Sequence, residues 1–285
     1  MARRTKPVKG MSALQESGGV RDLRPAVGIV GGLGRMGSWF AELMERQGLT
    51  VLRSDLHTDL SPVAMTAQCD VVVIAVPISE TLKVIREIGP LVSERGLLMD
   101  LTSVKTAPLE TMLACSTAQV VGLHPLLGPE AGSNSGARVV VCRGRGESGL
   151  AWIAGMLERS GLQVVHLEAE EHDRMMGLIQ GAHHFSTLAL ALSIGRSGFH
   201  VSDLSRCATE TFRERLERIR SMMEQPADLF GSLLMDNPAA AEFSERYLEA
   251  AGELFEMISK GDRGAFKEVF GSLRGVFAPR QLGNG

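Results

Sequence analysis

The chain lacks an excess of either charge, closely spaced cysteines and any long apolar run. Its 30 basic and 33 acidic residues leave a net charge of −3 over 285 residues. That balance gives no reason to expect nucleic acid or an anionic membrane surface as a partner. The four cysteines, Cys69, Cys115, Cys142 and Cys207, form no CxxC or other tight pair. Buried free thiols in a reducing compartment are expected, rather than a disulfide framework. His172, His183, His184 and His200 match no H-E-x-x-H or other zinc spacing, so no metal is expected. No stretch approaches the roughly 20 apolar residues of a membrane span. Residues 1–24 are polar and basic, without the apolar centre of a secretory signal. They read as a disordered tail on a cytoplasmic protein.

What is present is an alternation. Short apolar runs at 26–30, 50–54, 70–76, 96–101, 119–123, 138–142 and 163–167 are rich in Val, Ile and Leu. Amphipathic segments at 35–47, 79–90, 106–114 and 147–160 lie between several of them. Alternating β and α patterns predict an α/β domain over 25–168, a Rossmann-like, doubly wound parallel sheet covered on both faces. Strand signals then stop. The stretch 170–195 reads as one long helix, and apolar stripes recur at helical spacing in Phe212, Leu216, Ile219 and Met223, in Tyr247, Ala251, Leu254 and Ile258, and in Phe266, Phe270, Leu273 and Phe277. Residues 169–280 are therefore expected to form an all-helical domain, with a homodimer built through it.

A G-x-G-x-x-G motif, Gly32-Leu33-Gly34-Arg35-Met36-Gly37, follows the first strand and opens a helix. In this context the glycines serve a tight turn, close approach of backbone to a pyrophosphate, and helix–strand packing. Asp55 ends the second strand, 18 positions after Gly37, where a carboxylate can take both ribose hydroxyls and repel a 2′-phosphate. NAD is the expected cofactor, although Arg53 and Ser54 lie beside that carboxylate. Val76, Pro77 and Thr102, at the ends of two further strands, are expected to line the same site.

Three polar residues sit at or beyond strand ends, where ligands bind in open α/β sheets. His124 is followed by Pro125 and by Gly128-Pro129, so the strand is expected to stop and leave the imidazole at its tip as a proton acceptor. Ser103 is a second hydrogen-bonding partner for a substrate hydroxyl, and Lys105 a contact to substrate or cofactor. Thr102 or Ser103 could instead cap the helix that starts near Thr106. No G-x-S-x-G elbow supports a nucleophilic hydrolase.

The segments VGIVGGLGRMG, VVVIAVPISET, LLMDLTSVKTAPLETM, VVGLHPLLGP and EEHDRMMGLIQGAHHF resemble the prephenate dehydrogenase family. The resemblance runs over residues 26–277 and is nearest the branch fused elsewhere to a chorismate mutase. With about 25 residues before the first strand, no such fused domain is expected here. The resemblance implies hydride transfer from ring C4 to NAD+ with loss of CO2, giving 4-hydroxyphenylpyruvate. It makes His124 the base, Ser103 its partner at the hydroxyl, and Lys105 a site residue of less defined role. It also places a carboxylate-binding arginine in the helix FRERLERIR. Arg220 ranks first by its spacing from Pro226, then Arg218 and Arg213. The alternative for that run is a solvated face paired with Glu214, Glu217 and Glu224.

The same resemblance places His184 near the substrate, and Gln180, one helical turn away, is expected to bind substrate with it, while His183 departs from the family pattern. Arogenate and 4-amino-4-deoxyprephenate therefore stay open as substrates. A non-catalytic NAD-binding regulator is the reading from another class, opposed by the intact set of Ser103, Lys105, His124 and arginines. A β-hydroxyacid or imine dehydrogenase is disfavoured because 170–195 contains no lysine.

Overall fold

The computed structural model describes residues 25–127 and 136–278. The tail at 1–24 and Gly128-Pro129 lie outside the described residues. The first half is built from β1 (Val27–Val30), α1 (Arg35–Arg46), β2 (Val51–Ser54), α2 (Pro62–Thr66), β3 (Val71–Ile74), α3 (Ile78–Ile88), β4 (Leu97–Asp100), α4 (Thr106–Cys115), β5 (Gln119–Leu126), β6 (Arg138–Arg145), α5 (Glu147–Arg159), β7 (Gln163–His166) and α6 (Ala169–Met176). A π-helical segment (Gly177–Ala182) follows, then α7 (His183–Arg196), α8 (Val201–Cys207), α9 (Glu210–Met223), α10 (Ala227–Met235), α11 (Pro238–Lys260) and α12 (Arg263–Val276). The chain divides into two compact units. One runs to Met176 and takes in Ala227–Asn237; the other holds Gly177–Pro226 and the chain from Pro238.

The first unit is a seven-stranded sheet of order β2-β1-β3-β4-β5-β6-β7. Alternate residues of each strand feed two cores, as the period of two requires. Val27, Ile29, Val71, Val73, Leu97, Met99, Val121 and Leu123 pack with Phe40 and Met44 of α1 and Ile153 and Leu157 of α5. Val30, Val72, Ile74, Leu98 and Val120 pack on the other face with Ile85, Ile88, Leu109 and Met112 of α3 and α4. The order reverses between β1 and β3, which puts the crevice outside their carboxyl ends.

Two features differ from the sequence reading. First, the sheet is not wholly parallel: β5 and β6 pair antiparallel, and β7 runs parallel to β6. Only eleven residues, 127–137, separate β5 from β6 in the sequence, and so short a return suits an antiparallel pair. Second, β5 does not stop before Pro125. It pairs with β4 only from Gln119 to Gly122, but continues against β6 with His124 opposite Val140, Pro125 opposite Val139 and Leu126 opposite Arg138. Among the described residues no strand lies beside one edge of β5 past Gly122, and a proline without N–H is tolerated at such an edge. His124 is thus within a ladder on one side and beyond the end of β4 on the other.

In the helical unit, Gly177 and Gly181 lie against α11. A Cβ at Gly181 would stand 2.5 Å from Ala240 Cβ and 2.8 Å from its Cα. The single helix read over 170–195 is therefore three pieces, with the π-helical one in the middle. Much of the apolar stripe on the last two helices is uncovered within one chain: Ile258 is 68% exposed, Phe270 51% and Phe277 82%. All four cysteines are free; Cys142 is buried, and burial pushes its thiol pKa up to about 12, whereas Cys207 is exposed.

Candidate active site

The loop from β1 to α1 is shaped by backbone contacts. The left-handed turn is at Gly31 (φ 80°), one residue before the G-x-G-x-x-G motif begins. Gly31 and Gly32 donate to Ser54 O at 2.8 and 3.2 Å, which ties the loop to the end of β2. A Cβ at Gly32 would meet Arg53 Cβ at 2.8 Å, and one at Gly37 would meet Gly31 O at 2.1 Å. Gly34 is the N-cap of α1, with no side-chain cap and no acidic residue in the first turn. Those N-terminal amides are the usual partner of a phosphate. Leu33, Gly34 and Arg35 are exposed, and Met36 is half-buried behind them.

Asp55 Oδ2 accepts from Leu33 N at 3.0 Å and Oδ1 from Leu56 N at 2.8 Å. A carboxylate has about four acceptor positions, so each oxygen retains capacity for a ribose hydroxyl. Asp55 also shapes its turn, because Thr58 Oγ1 donates to its carbonyl at 2.9 Å. Val76 and Pro77 follow β3, across the β1–β3 reversal, with Pro77 as the N-cap of α3. The glycine cradle, uncapped helix and carboxylate fit a dinucleotide with free ribose hydroxyls.

Beyond the carboxyl end of β4, beside the last residues of β5, lies a chain of buried polar groups. His124 is 4% exposed and His172 is fully buried. His124 Nδ1 is 2.8 Å from His172 Nε2, and His172 Nδ1 is 2.8 Å from Asp173 Oδ1. Burial opposes charge on Asp173, but hydrogen bonds from His172 and from the Lys105–Thr106 end of α4 outweigh it and hold its pKa below the ordinary value. An ionised Asp173 requires His172 Nδ1 to donate. His172 then accepts at Nε2, His124 donates from Nδ1, and His124 Nε2 becomes the basic nitrogen. Burial first, then the neighbouring His172 and Lys105, lower the His124 pKa well below 6.5, against an opposing pull from Asp173. His124 is a neutral acceptor at neutral pH.

Asp173 has a second task. The α4 N-terminus has no cap from its own segment. Instead Lys105 N and Thr106 N donate to Asp173 Oδ1 and Oδ2 at 2.7 and 2.8 Å. Thr102 does not cap it; its hydroxyl bonds Asp100 and the Val104 carbonyl, and Ser103 is half-buried beside it. Asn237 Nδ2 donates to Asp173 O at 2.8 Å and fixes the same backbone.

Lys105 departs from its expected contact with a ligand. Its side chain is fully buried, paired with the equally buried Asp100, and its Nζ donates to Leu123 O at 2.8 Å. Gly122 leaves room for the stem, since a Cβ there would lie 3.3 Å from Lys105 Cδ. The Lys105 side chain thus ties down the peptide just before His124. The sequence reading missed His172, Asp173 and Asp100. The signal for an outside partner was the α4 start, which offered no reliable cap of its own.

In the helical unit, Gln180 lies in the π-helical segment and His184 in the first turn of α7. Burial, followed by the adjacent His183, lowers the His184 pKa to about 4. Arg213, Arg218 and Arg220 are all exposed on α9. Arg220 lies 3.4 Å from Glu217, while Arg213 lies 3.5 Å from Glu210 and donates to Ser205 O. Exposed pairs of this kind are weak and easily exchanged for a ligand carboxylate. Among the described residues, no cluster of His, Cys, Asp and Glu could hold a metal ion.

Residues 48–161 match the profile described as prephenate dehydrogenase, nucleotide-binding domain, and residues 168–272 that described as prephenate dehydrogenase, dimerization domain. The T-protein of Enterobacter agglomerans is 32% identical over 256 residues, covering 90% of this chain and 68% of that one. The chain belongs to the prephenate dehydrogenase family. It is also 26% identical over 269 residues to the 4-amino-4-deoxyprephenate dehydrogenase of Streptomyces pristinaespiralis, covering 87% of this chain and 90% of that family member. The crystal structure of prephenate dehydrogenase from A. aeolicus in complex with hydroxyphenyl propionate and NAD+ superposes with a TM-score of 0.73 at 18% identity, covering 89% of this chain and 96% of that one. That likeness speaks to the shared fold.

Proposed function

We propose that the chain is an NAD-dependent prephenate dehydrogenase, carried above all by the buried chain from His124 through His172 to the Asp173 carboxylate. The glycine loop and Asp55 would hold NAD+, which when bound would supply the acceptor for the hydride of ring C4. His124 Nε2 takes the proton of the C4 hydroxyl as that carbon–oxygen bond gains carbonyl character. CO2 then leaves, the ring becomes aromatic, and the proton returns to the phenol oxygen. Prephenate and NAD+ thus give 4-hydroxyphenylpyruvate, CO2 and NADH. Asp173 stabilises the positive charge that builds on the two imidazoles, and Lys105 holds the Leu123 peptide so that His124 keeps its place. Ser103 is the second hydrogen-bonding partner of the hydroxyl. Arg220, with Arg218 and Arg213 as alternatives, binds a substrate carboxylate, and Gln180 and His184 contact the substrate.

The uncovered apolar stripe on α11 and α12 fits a homodimer formed through the helical unit. No helix among the described residues is long and apolar enough to cross a membrane, in keeping with a cytoplasmic enzyme.

The test is to incubate the pure protein with NAD+ and, separately, prephenate, arogenate and 4-amino-4-deoxyprephenate, following NADH absorbance. Prephenate is expected to be oxidised fastest. Preference for the amino compound would move the assignment to that relative's reaction, and no NADH with any of the three would overturn it. His124→Asn is expected to lower kcat by about 10²–10⁴, the worth of a positioned base. Arg220→Gln is expected mainly to raise KM for the substrate.

A further inference from the structure

We propose that Glu45 sets the cofactor preference by restraining Arg53. This rests on the dinucleotide reading of the glycine loop. From Val51 to Ser61 the only permanent cation is Arg53. An arginine near the ribose is what accommodates a 2′-phosphate. Arg53 stands in the right place for that: its Cβ lies directly under Gly32, and it precedes Asp55 by two residues. Its guanidinium is engaged elsewhere. Arg53 Nη2 donates to both oxygens of Glu45, at 2.8 and 2.9 Å. Glu45 is in the last turn of α1, ten residues from Arg35, or about 15 Å along the helix from its phosphate-facing start. The ion pair therefore turns the cation away from the loop.

Neither residue flanking Asp55 adds a cation. Ser54 is buried and donates to Leu60 O, while Leu56 is 93% exposed and apolar. Asp55 repels a 2′-phosphate, and Glu45 keeps the available cation from offsetting that repulsion.

The experiment compares kcat/KM for NAD+ and NADP+ in the full chain, with NADH and NADPH fluorescence titrations alongside. An exposed ion pair contributes up to about 1 kcal/mol, or fivefold. Glu45→Gln is expected to raise the NADP+ to NAD+ ratio about three- to fivefold, with NADPH binding tightened in step. Adding Arg53→Gln should return the ratio to the wild-type value, which a general loosening of α1 would not do. An unchanged ratio in Glu45→Gln, or a gain that survives loss of Arg53, overturns the proposal. A wild-type chain that binds neither NADH nor NADPH overturns the dinucleotide reading itself, and this inference with it.

Discussion

Asp173→Asn tests the buried relay most directly. The substitution keeps the shape of the side chain but removes its charge and one accepting end. Asp173 Oδ1 receives His172 Nδ1 and Lys105 N, and Oδ2 receives Thr106 N. If the new amide nitrogen takes the place of Oδ2, it faces the Thr106 N–H and strands a donor, at about 1–3 kcal/mol of stability. The His172 tautomer survives in that orientation, but the hydrogen bond to it is no longer charge-assisted. Bonds to charged groups contribute about 1.5–3 kcal/mol and neutral ones about 0.5–1.5, so roughly 1–2 kcal/mol of support for the developing imidazolium is lost. At about 1.36 kcal/mol per decade, kcat should fall about five- to thirtyfold. In the opposite orientation the relay reverses and leaves a proton on His124 Nε2, with the full loss of about 10²–10⁴ expected for a missing base. The assay is kcat/KM against pH, with urea unfolding as the check on folding. Asp173 raises the His124 pKa against the larger lowering by burial. Its loss should therefore shift the acid limb to lower pH while lowering the plateau. A folded variant with kcat within about twofold of wild type and an unmoved limb would refute the relay.

Other consequences can be measured separately. Lys105→Met leaves the Asp100 charge buried and unpaired, so a loss of about 3–5 kcal/mol is expected in urea unfolding, with much of it restored in Asp100→Leu/Lys105→Met. Equal losses in the single and double variants would show that the pair is not the cause. Gly181→Ala drives a Cβ into Ala240 and should cost about 1–3 kcal/mol, a drop of several degrees in Tm by calorimetry; an unchanged Tm would mean that the two helices part freely. His184 titrates near 6.5 when unfolded and about 4 when folded, so the unfolded chain binds more protons between those values and stability should fall as pH drops through that window. His184→Gln should flatten that decline in a Tm series, and an identical pH dependence would contradict the burial argument.

Much of the fold could be read from particular residues. Val71–Ile74 is a continuous apolar run covered on both faces, as is Leu97–Asp100 up to its final aspartate, and the sequence shows such strands plainly. The antiparallel return of β6 was less visible, because a short apolar run carries no direction. Pro125 signalled a strand end, yet β5 continues because one of its edges is open. The five-residue α2 is too short for periodicity, and only Ser61 capping it with Pro62 at the first position marked it. At the site, His124 was legible from its place after a strand. His172 and Asp173 were not, because the bonds that give them meaning run to residues 48 and 68 positions away.

The π-helical turn at Gly177–Ala182 carries a consequence for insertions and deletions in this stretch. Such a turn behaves as one extra residue threaded into an otherwise ordinary helix. Deleting a single residue there would heal the hydrogen-bond ladder and leave everything downstream on the face it now occupies, whereas the same deletion in an ordinary turn would rotate it by about 100° about the axis. His184 would then keep its side of the helix, so this stretch can lose a residue where a regular turn could not without disarranging the side chains beyond it.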